Sequence, residues 1–201
     1  MGKVYCKYCG RGYSDERSLQ ANSCPRHPDG SGKHAVFEGA ESSVYICANC
    51  GREYRDLAAL TANSCSRHPD GHGHHQPFTG GVQSSYFCKY CGREYRDIQT
   101  MTANSCSRHP DGRGHHQPFT GGVQADYACK YCGREYRDLA TLTANSCPRH
   151  PAGRGHHVPY EGGVKDRYAC KYCGKEYRDI ATLTANSCLK YPEGRGHHSP
   201  A

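Results

Sequence analysis

Apolar side chains in this chain come singly or in pairs rather than in long runs, and their spacing repeats every 41 residues. One period is marked by Tyr45, Tyr54, Leu57 and Leu60. The aromatic positions flank a tight turn and predict two short strands. Leu57 and Leu60, three apart, predict a short helix from roughly Leu57 to Asn63 with both residues on its inner face. Asp56 suits the N-cap of that helix, as do Asp15, Asp97, Asp138 and Asp179 in the other periods. Asn63-Ser64 suits its C-terminus. His68-Pro69-Asp70-Gly71 reads as a turn. The expected order within each period is β-hairpin, short helix, returning loop.

The turn between the strands holds a C-x2-C-G motif, and the chain contains it five times: Cys6/Cys9, Cys47/Cys50, Cys88/Cys91, Cys129/Cys132 and Cys170/Cys173. A third cysteine follows each pair with fourteen residues between them: Cys24, Cys65, Cys106, Cys147 and Cys188. Together they account for all 15 cysteines. The chain therefore reads as five copies of one element, at 1–41, 42–82, 83–123, 124–164 and 165–201. About ten residues with a Gly-Gly pair separate His75 from Tyr86 and suggest a semi-flexible link. Gly10, Gly51, Gly92, Gly133 and Gly174 occupy a position that wants positive φ.

Composition explains why cysteine is needed. Only 35% of the 201 residues are apolar, a count that includes the cysteines and 16 tyrosines, and there is no tryptophan. A period of 41 residues lies near the size at which folding usually requires a staple. Three cysteines cannot pair within one period, and 15 cannot pair within the chain. The N-terminal residues show no apolar secretory core. These points favour a reducing compartment and metal over disulfides. No stretch is long and apolar enough for a membrane span. The expected localisation is intracellular: cytoplasmic, with nucleoid or nucleus as alternatives.

The expected metal is zinc, five ions in all, each held in a four-ligand tetrahedron. Two histidine series compete for the fourth place. His34, His75, His116, His157 and His198 lie ten residues past the third cysteine and recur in every repeat. His27, His68, His109 and His150 lie three past it, and Tyr191 replaces the histidine in repeat 5. If all five repeats bind alike, the complete series supplies the ligand. The predicted ligand sets are then Cys6, Cys9, Cys24 and His34; Cys47, Cys50, Cys65 and His75; Cys88, Cys91, Cys106 and His116; Cys129, Cys132, Cys147 and His157; Cys170, Cys173, Cys188 and His198. The His27 series remains the alternative if repeat 5 is degenerate. A neighbouring series, His74, His115, His156 and His197, has Lys33 in repeat 1 and reads as solvent-facing.

The run Tyr45-x-Cys47-x2-Cys50-x3-Tyr54-x5-Leu60 resembles the ββα Cys2His2 zinc finger, and the same match holds in the other repeats, with Val4 leading the first. The resemblance covers the first half of each repeat. The second half departs: Asn63 stands where that family places a histidine, and Cys65 follows. The chain is also similar to short Cys3His repeats of uncharacterised bacterial proteins. The fold implied is a small metal-stabilised α+β array of five zinc-finger-like units with no single large core.

In the finger family, bases are read from just before the helix and from its third and sixth positions. Here those positions hold Asp56, Ala59 and Ala62 in repeat 2, and Asp, Ser or Thr, and Ala in the others. None is Arg, Lys, Asn or Gln, the strong base readers. The formal charge is +7. Five Zn²⁺ and fifteen thiolates would bring it to +2, which leaves little for phosphate neutralisation. The Arg93-Glu94-Tyr95-Arg96 pattern and its copies place two arginines beside an aromatic, open either to base stacking or to a plain solvated face.

Three functions compete. The first is a non-enzymatic zinc-binding tandem-repeat protein used for protein contacts or self-association, where repetition supplies avidity. The second is nucleic-acid binding with weak sequence preference. The third is a metal-dependent enzyme using the surplus histidines, which requires an open coordination position or a second metal. The order given is the order of preference. Tyr8, Tyr90, Tyr131 and Tyr172 within the cysteine turns suit an interface if exposed, and otherwise cover their own metal.

Overall fold

The computed structural model describes residues 2–112, 114–192, 194 and 196–201. Each repeat contributes two two-residue strands and one six-residue helix. Repeat 1 holds β1 (Val4–Tyr5), β2 (Gly12–Tyr13) and α1 (Glu16–Ala21); repeat 2 holds β3 (Tyr45–Ile46), β4 (Glu53–Tyr54) and α2 (Leu57–Ala62). Repeat 3 holds β5 (Tyr86–Phe87), β6 (Glu94–Tyr95) and α3 (Ile98–Ala103); repeat 4 holds β7 (Tyr127–Ala128), β8 (Glu135–Tyr136) and α4 (Leu139–Ala144). Repeat 5 holds β9 (Tyr168–Ala169), β10 (Glu176–Tyr177) and α5 (Ile180–Ala185). The strands pair two by two inside each repeat, with Tyr45 opposite Tyr54 and Ile46 opposite Glu53 in the second. No helix among the described residues is long and apolar enough to cross a membrane.

Every helix starts where its Asp predicts. The Asp56 carboxylate accepts the backbone N–H of Ala59 at 2.6 Å, and the other four Asp residues do the same. That satisfies one of the N–H groups a helix start leaves unpaired. Asn63 ends the helix, its side-chain amide donating to the Ala59 carbonyl at 2.8 Å. The returning loop then runs back along the hairpin: Ser64 bridges to His74 and Cys47 to Pro77. Phe78 N–H donates to the Ile46 carbonyl at 2.8 Å.

The helix positions of Leu57 and Leu60 are both buried in repeats 2 to 5. Leu19, Leu60, Met101, Leu142 and Leu183 are fully buried in all five repeats. Leu57, Ile98, Leu139 and Ile180 are buried too. Ile98 and Met101 share one buried cluster with Ile46 and Phe78 of the preceding repeat, and Leu139 and Leu142 share one with Phe119, against which Phe87 of repeat 3 packs. The two apolar positions thus line one inner face, which in repeats 3 and 4 also takes in side chains of the preceding repeat. They lie three apart on a helix of 100° per residue, so their directions diverge by about 60°.

The approach between successive repeats is close. A Cβ built on Gly10 would run into the backbone of Leu57 and Ala58, and one on Gly51 into Gln99. Likewise Gly92 faces Ala140, and Gly133 faces Ala181. These glycines have φ near +70°, as the sequence suggested. They are also spacers that let the next helix touch the cysteine turn, a role the sequence did not reveal. The Gly-Gly link is likewise more engaged than a semi-flexible tether. Phe78 within it is buried, packing edge-on against Tyr86 of the next repeat with ring centroids 5.8 Å apart.

By their contacts the residues fall into two compact bodies. One comprises Met1–Tyr86, Tyr95–Ser105 and His115–Pro118; the other Phe87–Glu94, Cys106–Gly114 and Phe119–Ala201. The division passes through repeat 3, placing α3 with repeats 1 and 2.

Candidate metal centres

Each site is assembled from three local devices. The cysteine turn is closed by Gly51 N–H donating to the Cys47 carbonyl at 2.8 Å. Backbone N–H groups also reach the first sulfur: Tyr8 to Cys6, Tyr90 to Cys88 and Tyr131 to Cys129, each at 3.4 Å. Such donors stabilise thiolate. The helix then delivers the third cysteine, whose N–H is held by the Gly73 carbonyl in repeat 2 at 2.7 Å. Finally His75 N–H donates to the Asn63 carbonyl at 3.1 Å, which ties the histidine to the helix end.

The result is five Cys3His groups: Cys6, Cys9, Cys24, His34; Cys47, Cys50, Cys65, His75; Cys88, Cys91, Cys106, His116; Cys129, Cys132, Cys147, His157; Cys170, Cys173, Cys188, His198. Within each group the ligand atoms lie within 4.8 Å of one another. None of the cysteines is in a disulfide. The Sγ atoms of Cys47 and Cys65 are 3.9 Å apart, and Cys50 Sγ is 3.3 Å from His75 Nδ1. A zinc tetrahedron with bonds near 2.3 Å to sulfur and 2.0–2.1 Å to nitrogen has edges of about 3.8 Å and 3.6 Å. The donor set and the spacing fit five zinc ions.

In each group the residue facing the sulfurs is the histidine ten past the third cysteine, through Nδ1 in the four groups where the distance to sulfur is 3.3–3.4 Å. In repeat 1 the other nitrogen is held by a tyrosine from the second strand: Tyr13 Oη lies 2.8 Å from His34 Nε2. Such a bond fixes which nitrogen is free for metal. In repeats 2 and 4 the equivalent tyrosine rings lie 5.1 Å and 5.2 Å from His75 and His157, whose buried Nε2 atoms make no hydrogen bond. Sequence reasoning marked these tyrosines as pattern positions and missed their packing against the ligand histidine, although their recurrence in all five repeats carried the signal.

The His27 series sits elsewhere. The ring of His27 lies edge-on to Tyr8 at 4.9 Å, His109 to Tyr90 at 4.7 Å, and His150 to Tyr131 at 5.0 Å. In repeat 5 the pair is Tyr172 and Tyr191 at 5.1 Å. The position therefore calls for a flat ring rather than a ligand, which explains why tyrosine substitutes for histidine there. The neighbouring exposed series has its own task. Lys33 Nζ donates to the Ala21 carbonyl at 2.7 Å, and His156 Nδ1 lies 3.2 Å from the Ala144 carbonyl. Both side chains reach the carbonyl end of their helix, so lysine and histidine are interchangeable at that place.

At Cys6 and Cys170 burial is outweighed by hydrogen-bond donors, with His198 beside Cys170, and those thiols lie below the ordinary value. At other ligands burial governs protonation. It pushes the thiols of Cys47, Cys106 and Cys147 up to about 12, helped by the charge of neighbouring thiols. It pushes His34, His75 and His157 down, so the imidazoles stay neutral, with nearby Arg11, Arg52 and Arg134 adding to the effect. Three thiols crowded together resist ionising unless a dication compensates them, so metal binding here releases protons. Comparison with families, with curated proteins and with solved structures finds no match to this chain.

Proposed function

We propose that this chain is a non-enzymatic interaction array, in which zinc stabilises each repeat and stacked repeats present a multivalent protein-binding surface. The observation that carries the reading is the closed ligand set. Four protein ligands converge at each site, which fills a zinc tetrahedron and leaves no position for a substrate. A hairpin and helix of 41 residues held this way is zinc-finger-like, and the repeat supports avidity rather than chemistry. The same closure speaks against the metal-dependent enzyme.

The helices are poorly suited to read bases. Asp56 and its equivalents are committed to capping, and the Leu57 face is turned to the preceding repeat. In repeats 3 and 5 the arginine beside the cap is compensated: Arg96 Nε is 3.2 Å from Asp97 Oδ2, and Arg178 Nε is 3.0 Å from Asp179 Oδ2. The knuckle tyrosines are half-buried on rings of their own repeats, which weakens their use as an interface.

One observation favours nucleic acid as a second reading. Lys7, Lys89, Lys130 and Lys171 each lie 4.8–5.2 Å over the ring of the following tyrosine. Such basic-aromatic pairs could track a phosphate backbone. Fluorescence anisotropy of the zinc-loaded chain with labelled random DNA and RNA separates the readings. Under the interaction reading, no binding appears at low salt, and affinity capture retrieves protein that resists nuclease treatment. Tight binding that weakens steeply with salt would replace it with the second reading.

A further inference from the structure

The five metal centres share an asymmetry that a purely structural site does not need. In each, three of the four ligands are buried and one is not, and the uncovered ligand is always the second cysteine: Cys9, Cys50, Cys91, Cys132 and Cys173. In repeat 2 its partners Cys47, Cys65 and His75 are 0%, 2% and 3% exposed. The fold produces the difference. The returning loop lies against the first cysteine, where Cys47 bridges to Pro77, and against the third, where Cys65 N–H donates to the Gly73 carbonyl. It leaves the second uncovered. In repeat 2 that cysteine lines an open cleft of about 890 Å³ with Arg52, Arg67 and His75. An exposed cation follows it by two residues in every repeat: Arg11, Arg52, Arg93, Arg134 or Lys175.

Thiolate is the reactive form of cysteine, and access and a neighbouring cation decide which thiolate reacts. Three thiolates against one dication leave each loaded site with a net negative charge, so its sulfurs stay electron-rich. Two of the three are shielded by burial. The chemistry required of the third needs no open coordination position, because the ligand reacts and the metal does not.

We propose that the second cysteine of each repeat is a modification site for hydroperoxides, and that its oxidation dismantles the metal centre reversibly. With hydrogen peroxide, the Cys50 thiolate sulfur attacks one peroxide oxygen. An S–O bond forms, the O–O bond breaks and hydroxide leaves, so the sulfur becomes a sulfenic acid. A second thiolate of the same cluster, from Cys47 or Cys65, then attacks that sulfur. An S–S bond forms, the S–O bond breaks and a second hydroxide leaves. The two sulfurs have together given up one electron pair, and the peroxide has been reduced to two hydroxides. The second thiolate is at hand because the ligand atoms of each group lie within 4.8 Å of one another. One cysteine and one histidine remain where zinc needs four ligands, so the metal departs, and with it the hairpin and helix it holds. A thiol reductant reverses the disulfide. The consequence, a contact surface taken down by oxidant and rebuilt by reductant, rests on the interaction reading; the chemistry at the cysteine does not.

The test uses the full zinc-loaded chain. Limiting iodoacetamide followed by peptide mass spectrometry should label Cys9, Cys50, Cys91, Cys132 and Cys173 at least about tenfold faster than the first and third cysteines. Hydrogen peroxide should release all five zinc ions to a chromogenic chelator. It should leave one free thiol per repeat and disulfides that each contain the second cysteine. Dithiothreitol with zinc should then restore the far-UV circular dichroism signal. Cys50→His keeps four ligands in repeat 2 and removes the exposed sulfur, so peroxide should release the other four ions and spare that one. If this variant does not bind five zinc ions, labelling of the wild type decides alone. Labelling spread evenly over the three cysteines, or led by the first or third, overturns the proposal. So do zinc that stays bound in peroxide, disulfides confined to the first and third cysteines, or a five-zinc Cys50→His chain that loses every ion at the wild-type rate. None of these readouts involves a partner, so they stand apart from the affinity capture that tests the interaction reading.

Discussion

Helices α1 and α2 have the same length, the same aspartate cap and the same asparagine at the end. They differ at four of their six positions, and the first and the fifth decide burial. In α1 these hold Glu16 and Gln20, which bond to each other in solvent; in α2 they hold Leu57 and Thr61, both buried. The fourth residue, Leu19 or Leu60, is fully buried in both. A repeat thus buries one helix position in every copy and adds two others where a preceding repeat packs against the helix. The contrast shows that the array is more than beads on a string. Coupling enters through residues that a single isolated repeat would leave wet.

The largest effect to expect is common to both helices. Chelation of zinc should unfold the array, because structural zinc contributes about 10–16 kcal/mol apparent in finger peptides and little core stands in for it. Far-UV circular dichroism should lose its helical signal and regain it on adding zinc. Retention of the signal in chelator would mean that packing alone holds the repeats.

Cys65→Ser is the next test. It should cost one zinc and disorder repeat 2. Through Gly51 and Arg67 it should also loosen α3, so NMR shifts should change at Gln99 and Thr102. If only repeat 2 responds, the repeats are independent. Leu57→Ala sharpens the same point: removing a buried leucine costs about 2–5 kcal/mol, whereas Glu16→Ala on the equivalent exposed position should stay within about 0.5 kcal/mol. Thermal melts of both variants would show the difference, and equal effects would dissolve the contrast between the two helices.

Arg67→Ala should be milder, about 1–3 kcal/mol, since it removes charge-assisted bonds to Thr102 Oγ1 and the Gln99 carbonyl. Lys190→Ala, at the same place in repeat 5, should leave the melting temperature unchanged. The smallest effect concerns pH. Burial holds His75 and His157 below the ordinary 6.5, so the unfolded chain takes up the proton first. The stability from keeping these rings neutral is therefore fully present above that value. It is lost as pH falls through 6.5 toward the depressed folded values. Melting temperature and zinc retention should both decline over that interval, and a flat profile across it would contradict the burial of the rings.

Much of this was legible in the sequence because it is local. The period of 41, the cysteine turns with their positive-φ glycine, the aspartate caps and the histidine that recurs in every repeat all concern residues bound to one another within a few turns of chain. A turn geometry, a cap or a tetrahedron is dictated by a handful of side chains wherever it occurs. The exchanges His27-series for Tyr191 and His74-series for Lys33 were visible but not interpretable, since a ring shelf and a helix-end donor exist only once the loop has folded back.

What the tertiary structure alone decided is the fate of Leu57 and its partners. Hydrophobic spacing marked Leu57 and Leu60 alike as apolar positions of a short helix, and nothing in their spacing says whose core each will enter. That depends on the neighbour brought against the helix by the glycine of the preceding turn. Burial is a property of the assembled surfaces, whereas the sequence of one repeat determines only which side chains would gain from it.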